Sequence, residues 1–177
     1  MHKLREMGVA PYSVGLDVWL PYLYEAKRNR IYSEYILADA KYLPFRPESF
    51  EAVLSSQLIE HLDKRVGVKA LLDLENITSQ KIVICTPVGW VSPTDPDALS
   101  VKYQKHKTGY LPCDLTNLGY NVVGQGLGVI YRAPNGLVFS MPKLTPILVL
   151  ISYSLFPVTY LLPHIAAQMI ALKTMKK

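Results

Sequence analysis

Cysteine is scarce in this chain, with Cys85 and Cys113 the only two among 177 residues. They stand far apart, with no C-x-x-C and no histidine-rich spacing around them. A disulfide framework and a zinc site are therefore not suggested, no metal ligand set is read from the sequence, and a reducing, intracellular setting is expected. Charge is also in short supply. Only 19% of residues are charged and the net charge is +5. The densest basic cluster, Lys27-Arg28-Asn29-Arg30, closes an amphipathic stretch, where cations complement a helix C-terminus, so no nucleic-acid face is expected. Met1 to Gly8 lacks the apolar core of a signal peptide and reads as the last turns of a helix ending at a glycine cap. There is no internal repeat or low-complexity tract.

Half of the residues are hydrophobic, which excludes a disordered chain, and the length fits one domain. The apolar excess lies at the C-terminus, where no Asp, Glu, Lys or Arg occurs from Thr145 to Leu172. About 20 such residues cross a bilayer as a helix. Pro146, Pro157 and Pro163 break that helix, and His164 and Gln168 are polar. Two short helices joined near Pro157 and lying in the membrane interface fit the prolines better. Residues 143–177 are accordingly read as an apolar helical tail that meets a membrane surface, and residues 1–142 as the folded domain. On that reading, removal of the tail leaves the domain intact.

Within the domain, strands and helices alternate. A strand runs from Tyr12 to Val18 with Asp17 near its end, and a helix follows from Pro21 to Tyr32, since proline suits a first helical position. Tyr35 to Ala40 repeats the pattern of a strand ended by an acid, Asp39. The stretch from Lys41 to Ser49 carries Pro44 and Pro47 and is a loop. Phe50 to Ser55 is a third strand, Asp63 to Leu74 a helix with Val66, Ala70, Leu71 and Leu74 inward, and Lys81 to Cys85 a fourth strand. Such alternation predicts a Rossmann-like, doubly wound α/β sheet, mostly parallel. Val88 to Pro112 is a long irregular insertion of the kind that carries function. Leu115 to Leu118 makes a short helix ending at Gly119. Tyr120–Val123 and Leu127–Tyr131, flanking Gly124-Gln125-Gly126, are expected to form a C-terminal antiparallel hairpin.

In doubly wound sheets ligands bind at the C-terminal ends of strands, and an acid ending the second strand commonly accepts hydrogen bonds from ribose hydroxyls. Asp17 is placed for that role. Gly15-Leu16-Asp17, Ala38-Asp39-Ala40 with Leu43-Pro44-Phe45 and Ser49-Phe50-Glu51, Ser55-Ser56-Gln57-Leu58-Ile59-Glu60-His61-Leu62, and Thr86-Pro87 follow in order. Together with His106-Lys107-Thr108-Gly109-Tyr110, Asp114-Leu115 and Leu118-Gly119-Tyr120, the chain resembles the type 11 group of class I S-adenosylmethionine-dependent methyltransferases over roughly residues 1 to 132. The resemblance implies strand order 3-2-1-4-5-7-6. It implies S-adenosylmethionine as cofactor, with Asp17 on the ribose, Val18 against the adenine, Asp39 accepting from the adenine amino group, Ala40 offering a backbone NH, and Gln57 at the methionine end. Glu51 stands where the family usually has Asp. The family's first strand and glycine-rich loop would precede Met1 and are not in this sequence; that strand would lie between those ending at Asp17 and Ser55, and a cofactor held without it is expected to bind weakly.

The implied activity is methyl transfer to a small, lipid-like acceptor. His106 in the long loop and His61 are the candidates for a catalytic base, because a neutral imidazole accepts a proton near pH 7. The competing reading is a catalytically inactive, membrane-attached binding module that keeps the fold. A cytoplasmic, membrane-associated location accompanies both.

Overall fold

The computed structural model describes residues 12–91, 101–131 and 137–175. The expected helix end at Met1–Gly8 and part of the Val88–Pro112 insertion lie outside them. The chain divides into two compact units, Met1–Phe45 and Arg46–Lys177.

The first unit is a βαβ element. β1 (Val14–Asp17) and β2 (Glu34–Leu37) pair in parallel, from Val14 opposite Glu34 to Asp17 opposite Leu37. Between them α1 (Leu20–Arg28) starts with Pro21 in its first turn and ends with Lys27 and Arg28 against its carbonyl end. It stops short of the expected Tyr32 because Arg30 turns left-handed, at φ 50°, which a continuing helix cannot accommodate. The Tyr35 hydroxyl then ties off the helix end. It lies 3.1 Å from the Ala26 carbonyl and 3.0 Å from that of Tyr32, and it accepts the Tyr32 amide at 3.0 Å. The Tyr32 ring covers β1 so closely at Gly15 that any Cβ there would overlap it.

The second unit is a four-stranded sheet in the order β3-β4-β6-β5. β3 (Phe50–Ser56) lies parallel to β4 (Thr78–Pro87). β6 (Ala166–Thr174) runs antiparallel to β4 on one side and to β5 (Asn121–Leu127) on the other. This is the 4-5-7-6 portion of the order the resemblance implied. Among the described residues β3 has β4 as its one partner, and Leu54 on β3 is 64% exposed.

α2 (Lys64–Asn76) packs Gly67, Ala70, Leu71 and Leu74 inward, with Val66 half-buried. Leu71, Ile82, Ile84, Leu115, Met169 and Ala171 are fully buried around it and along the sheet. Each of the Leu, Ile and Met side chains contributes about 1.5 to 3 kcal/mol of burial free energy. Short helices follow in the connections: α3 (Val101–Gln104), α4 (Pro112–Thr116), α5 (Gly128–Tyr131) and α6 (Leu137–Ser140).

Two expectations are corrected here. The second strand of the antiparallel pair is Ala166–Thr174, whereas 128–131 is the helix α5. Gly124 does not turn the chain. It lets a neighbouring segment approach β5, since a Cβ there would run into the Thr159 carbonyl and come within 2.6 Å of the Ala166 Cβ. The apolar stretch is likewise only partly helical. α7 (Thr145–Ser154) and α8 (Phe156–Leu161) break where Pro157 was expected to break them, and Pro163 opens a 3-10 turn that leads into β6. The last part of the stretch is thus an inner strand of the sheet. Its charge-free part, Ala166–Leu172, gives the same hydropathy signal as a membrane segment. No helix among the described residues is long and apolar enough to cross a membrane.

A chain ended at Lys143 loses that strand. It is expected to show no cooperative melting of the second unit by circular dichroism. Met169→Ala, at a fully buried site, should keep the transition and cost about 2 to 5 kcal/mol in a denaturant titration.

Candidate functional site

In the first unit, Asp17 ends β1. Its Oδ1 accepts the Trp19 amide at 2.7 Å, a local turn, and the N-cap residue of α1 is Trp19, without a side-chain cap. Asp17 is therefore not spent on starting the helix, and its Oδ2 accepts no hydrogen bond among the described residues. Such an oxygen at the carboxyl end of a parallel strand fits a ribose diol, whose hydroxyls donate. Asp39 follows β2. Its Oδ1 accepts the Lys41 amide at 3.0 Å and its Oδ2 pairs with the Lys41 ammonium at 2.9 Å. Val18 is half-buried and Ala40 is buried at 6% exposure.

Gln57 belongs to the second unit, just beyond β3. It holds a left-handed φ of 52° and donates its amide to the Cys85 carbonyl at 2.9 Å, which turns the chain off the sheet at the ends of β3 and β4. The 3-10 turn Ile59–His61 follows at once. It sinks Glu60 to 2% exposure, where Oε2 accepts the Thr86 hydroxyl at 3.0 Å. The Glu60 carbonyl accepts the amides of Lys107 at 2.8 Å and Thr108 at 3.1 Å. That pair of bonds pins the loop carrying His106 over the turn carrying His61. The two imidazoles meet edge to face, with ring centres 4.9 Å apart.

Burial pushes the Glu60 carboxyl above its ordinary range, against the opposing pull of its own backbone amide, the Thr86 hydroxyl and the charge on His106. Burial also pushes His61 below the usual imidazole value, with His106 adding to the effect and backbone hydrogen bonds at Lys105 and Gln104 working against it. His61 is thus a neutral imidazole near pH 7, the state a proton acceptor needs. The same burial, followed by the charge on Glu60, raises the Cys85 thiol.

Tyr110 closes the far side of the loop. It is 1% exposed, its hydroxyl presses against Gly67, and its ring lies 4.1 Å below the Lys64 ammonium. Burial, then Asp114 and Glu60, push its phenol up to about 12. Lys64 bonds Asp114 Oδ2 at 2.7 Å, and the same oxygen accepts the Leu111 amide at 2.8 Å. Both sequence-derived histidine candidates are brought together, whereas the Glu60 carboxylate between them was missed. Its signal was adjacency to His61, which reads equally as the start of a helix.

The family model for a methyltransferase domain matches residues 2–74. Among solved structures, a SAM dependent methyltransferase of Archaeoglobus fulgidus is 20% identical, with a TM-score of 0.54 over 98% of this chain and 79% of that one. The [4+2]-cyclase SpnF is 15% identical, with a TM-score of 0.50 over 96% and 69%. A methyltransferase-like chain of Bacillus halodurans is 18% identical and gives a TM-score of 0.46 over 62% of this chain, which spans 53% of that one. No curated protein matches the sequence. The first two of these structures, at these identities, establish the Rossmann-like fold alone.

The Asp114 carboxyl generates a pH dependence. Burial raises it, but the hydrogen bond from Lys64, the Leu111 amide and the Lys64 charge together bring it below its ordinary value of 3.8. A depressed folded-state value stabilises above the unfolded value, and that contribution is lost as pH falls through the folded one. Asp114→Asn should therefore melt below the unchanged protein at pH 7, and the gap in Tm should close as pH falls below 3.8. A pH-independent gap would remove this ion pair from the loop's anchorage.

The match of residues 2–74 makes this segment similar to a methyltransferase domain, on a chain that shares its fold with a SAM dependent methyltransferase.

Proposed function

We propose that the chain transfers the methyl group of S-adenosylmethionine to a small, lipid-like acceptor met at a membrane surface. Bound cofactor supplies a methyl group on a positively charged sulfur, so transfer requires chiefly that the acceptor atom be held in line with it. In this reading Asp17 accepts from the ribose hydroxyls and Val18 packs on the adenine. Asp39 and Ala40 serve the adenine edge, and Gln57 the methionine end. His106 or His61 is the candidate to take the acceptor's proton, where the reaction needs a base.

The observation that carries the acceptor class is the apolar surface of α7, α8 and the turn after them. Leu150 is 67% exposed, Tyr153 72%, Leu161 74% and Leu162 54%. Patches of large apolar side chains on a soluble surface mark contact with another apolar phase. These helices have 10 and 6 residues, too short to span a bilayer of about 20 helical residues and suited to lying in its interface.

Two measurements test the reading. Leu150→Glu with Leu161→Glu, both at highly exposed side chains, should lower sedimentation with phospholipid vesicles at least tenfold, since each leucine contributes on the order of 1.5 to 3 kcal/mol of burial. Unchanged sedimentation would remove the membrane from the account. Asp17→Ala should weaken S-adenosylmethionine by about 1.5 to 3 kcal/mol in an NMR titration, through loss of a charge-assisted hydrogen bond. Equal affinity would take Asp17 out of the site.

A further inference from the structure

The turn and loop at the ends of β3 and β4 contain more buried hydrogen-bonding capacity than the described residues satisfy. Glu60 is 2% exposed, and while its Oε2 is bonded to Thr86, its Oε1 is buried without a partner among the described residues. His61 has backbone hydrogen bonds at Gln104 and Lys105, yet its Nδ1 is likewise buried without a partner among them. Two orphaned acceptors side by side in a protein interior are costly, on the order of 1 to 3 kcal/mol each. His106 completes the set. Its Nδ1 lies 2.7 Å from the Val91 carbonyl, and since a carbonyl only accepts, Nδ1 carries the proton and Nε2 the lone pair.

Each of Glu60, His61 and His106 offers one donor atom, and the three atoms lie within 4.8 Å of one another. We propose that Glu60, His61 and His106 form a binding site for a divalent metal ion of the zinc type. Two imidazole nitrogens and one carboxylate oxygen are the donor set of open zinc sites, which keep a further position for an oxygen ligand. Bonds of about 2.0 to 2.2 Å place tetrahedral ligands about 3.4 Å apart, so the donors close on the ion by small rotamer changes. The outer contacts already present are those that metal ligands require. A backbone carbonyl orients each imidazole, and the Thr86 hydroxyl orients the carboxylate. The two bonds from Lys107 and Thr108 to the Glu60 carbonyl hold the sequence-distant ligand against the other two. A hard, oxygen-preferring ion such as Mg²⁺ is disfavoured by the imidazole pair.

This inference rests on the geometry of the cluster alone; an ion held there takes the imidazole lone pairs, so methyl transfer in its presence would rest on holding the acceptor in line and not on a histidine base. The full chain, stripped with a chelator, is titrated with Co²⁺ as a spectroscopic probe and then with competing Zn²⁺. One equivalent of Co²⁺ is expected to give the visible absorption of a four-coordinate nitrogen and oxygen site, and Zn²⁺ to abolish it. His106→Ala, which sits on a half-exposed loop, should weaken Co²⁺ at least tenfold. Glu60→Gln, checked for folding by circular dichroism, should do the same, and His164→Ala, at an exposed histidine outside the cluster, should bind as the unchanged chain does. Co²⁺ affinity unaffected by His106→Ala, or lost equally in His164→Ala, would overturn the site. Activity with S-adenosylmethionine is not part of the readout, so failure of the metal site and failure of the methyl-transfer reading are separate results.

Discussion

Insertion of β6 between β4 and β5 is the constraint on which the second unit rests. β4 brings the parallel half of the sheet, and β5 arrives after the loop, α4 and the turn at Gly119. Neither pairs with the other; each pairs with Ala166–Thr174, the final strand in the sequence. Along that strand Ala166, Met169 and Ala171 are fully buried. At its end the Lys173 ammonium bonds Glu75 of α2 at 2.7 Å and the Leu118 carbonyl at 2.9 Å. One side chain thus links the last strand, the helix over the sheet and the turn before β5. Burial pushes the Tyr120 phenol well above its ordinary value, and the neighbouring Glu75 carboxylate adds to the effect.

The same ordering of strands sets the position of the chemistry. Since β3 and β4 run in parallel, the turn after β3 and the loop after β4 leave the sheet at the same end, which is where ligands collect in this class of fold. The Gln57 amide bonded to Cys85 marks that exit, and Glu60, His61 and His106 gather just beyond it. Burial pushes both ionisable groups of the turn towards their uncharged forms, the carboxyl by raising it and the imidazole by lowering it. A site of this kind is quiet until a cation or a proton donor enters. The fold alone does not choose between these, since one likeness is to a methyltransferase and another to a [4+2]-cyclase.

What was legible in the sequence was local. β1, β2 and β3 and their terminal residues Asp17, Asp39 and Gln57 could be read because a short apolar run followed by a polar residue has one common meaning in an alternating α/β chain. α2 could be read because its inward face repeats at helical spacing. The misreadings have one cause, which is that contacts distant in sequence change the meaning of a local pattern. Gly124 looks like a turn residue until Thr159 and Ala166 are seen pressed against it. Residues 166–172 read as part of a membrane tail because an inner strand and a lipid-facing segment are both free of charge. Glu60 passed for an architectural residue because the second histidine that gives it significance lies on another loop.

The account stands or falls on where S-adenosylmethionine touches the chain. Hydrogen–deuterium exchange with and without saturating cofactor locates that contact directly, amide by amide. The account predicts slowed exchange at the segments following β1 and β2, around Val18 to Trp19 and Ala40 to Lys41, and at Gln57 to Leu58 beyond β3, with β5 and β6 unchanged. Protection confined to β5 and β6, or no protection at any of the three strand ends, would contradict it.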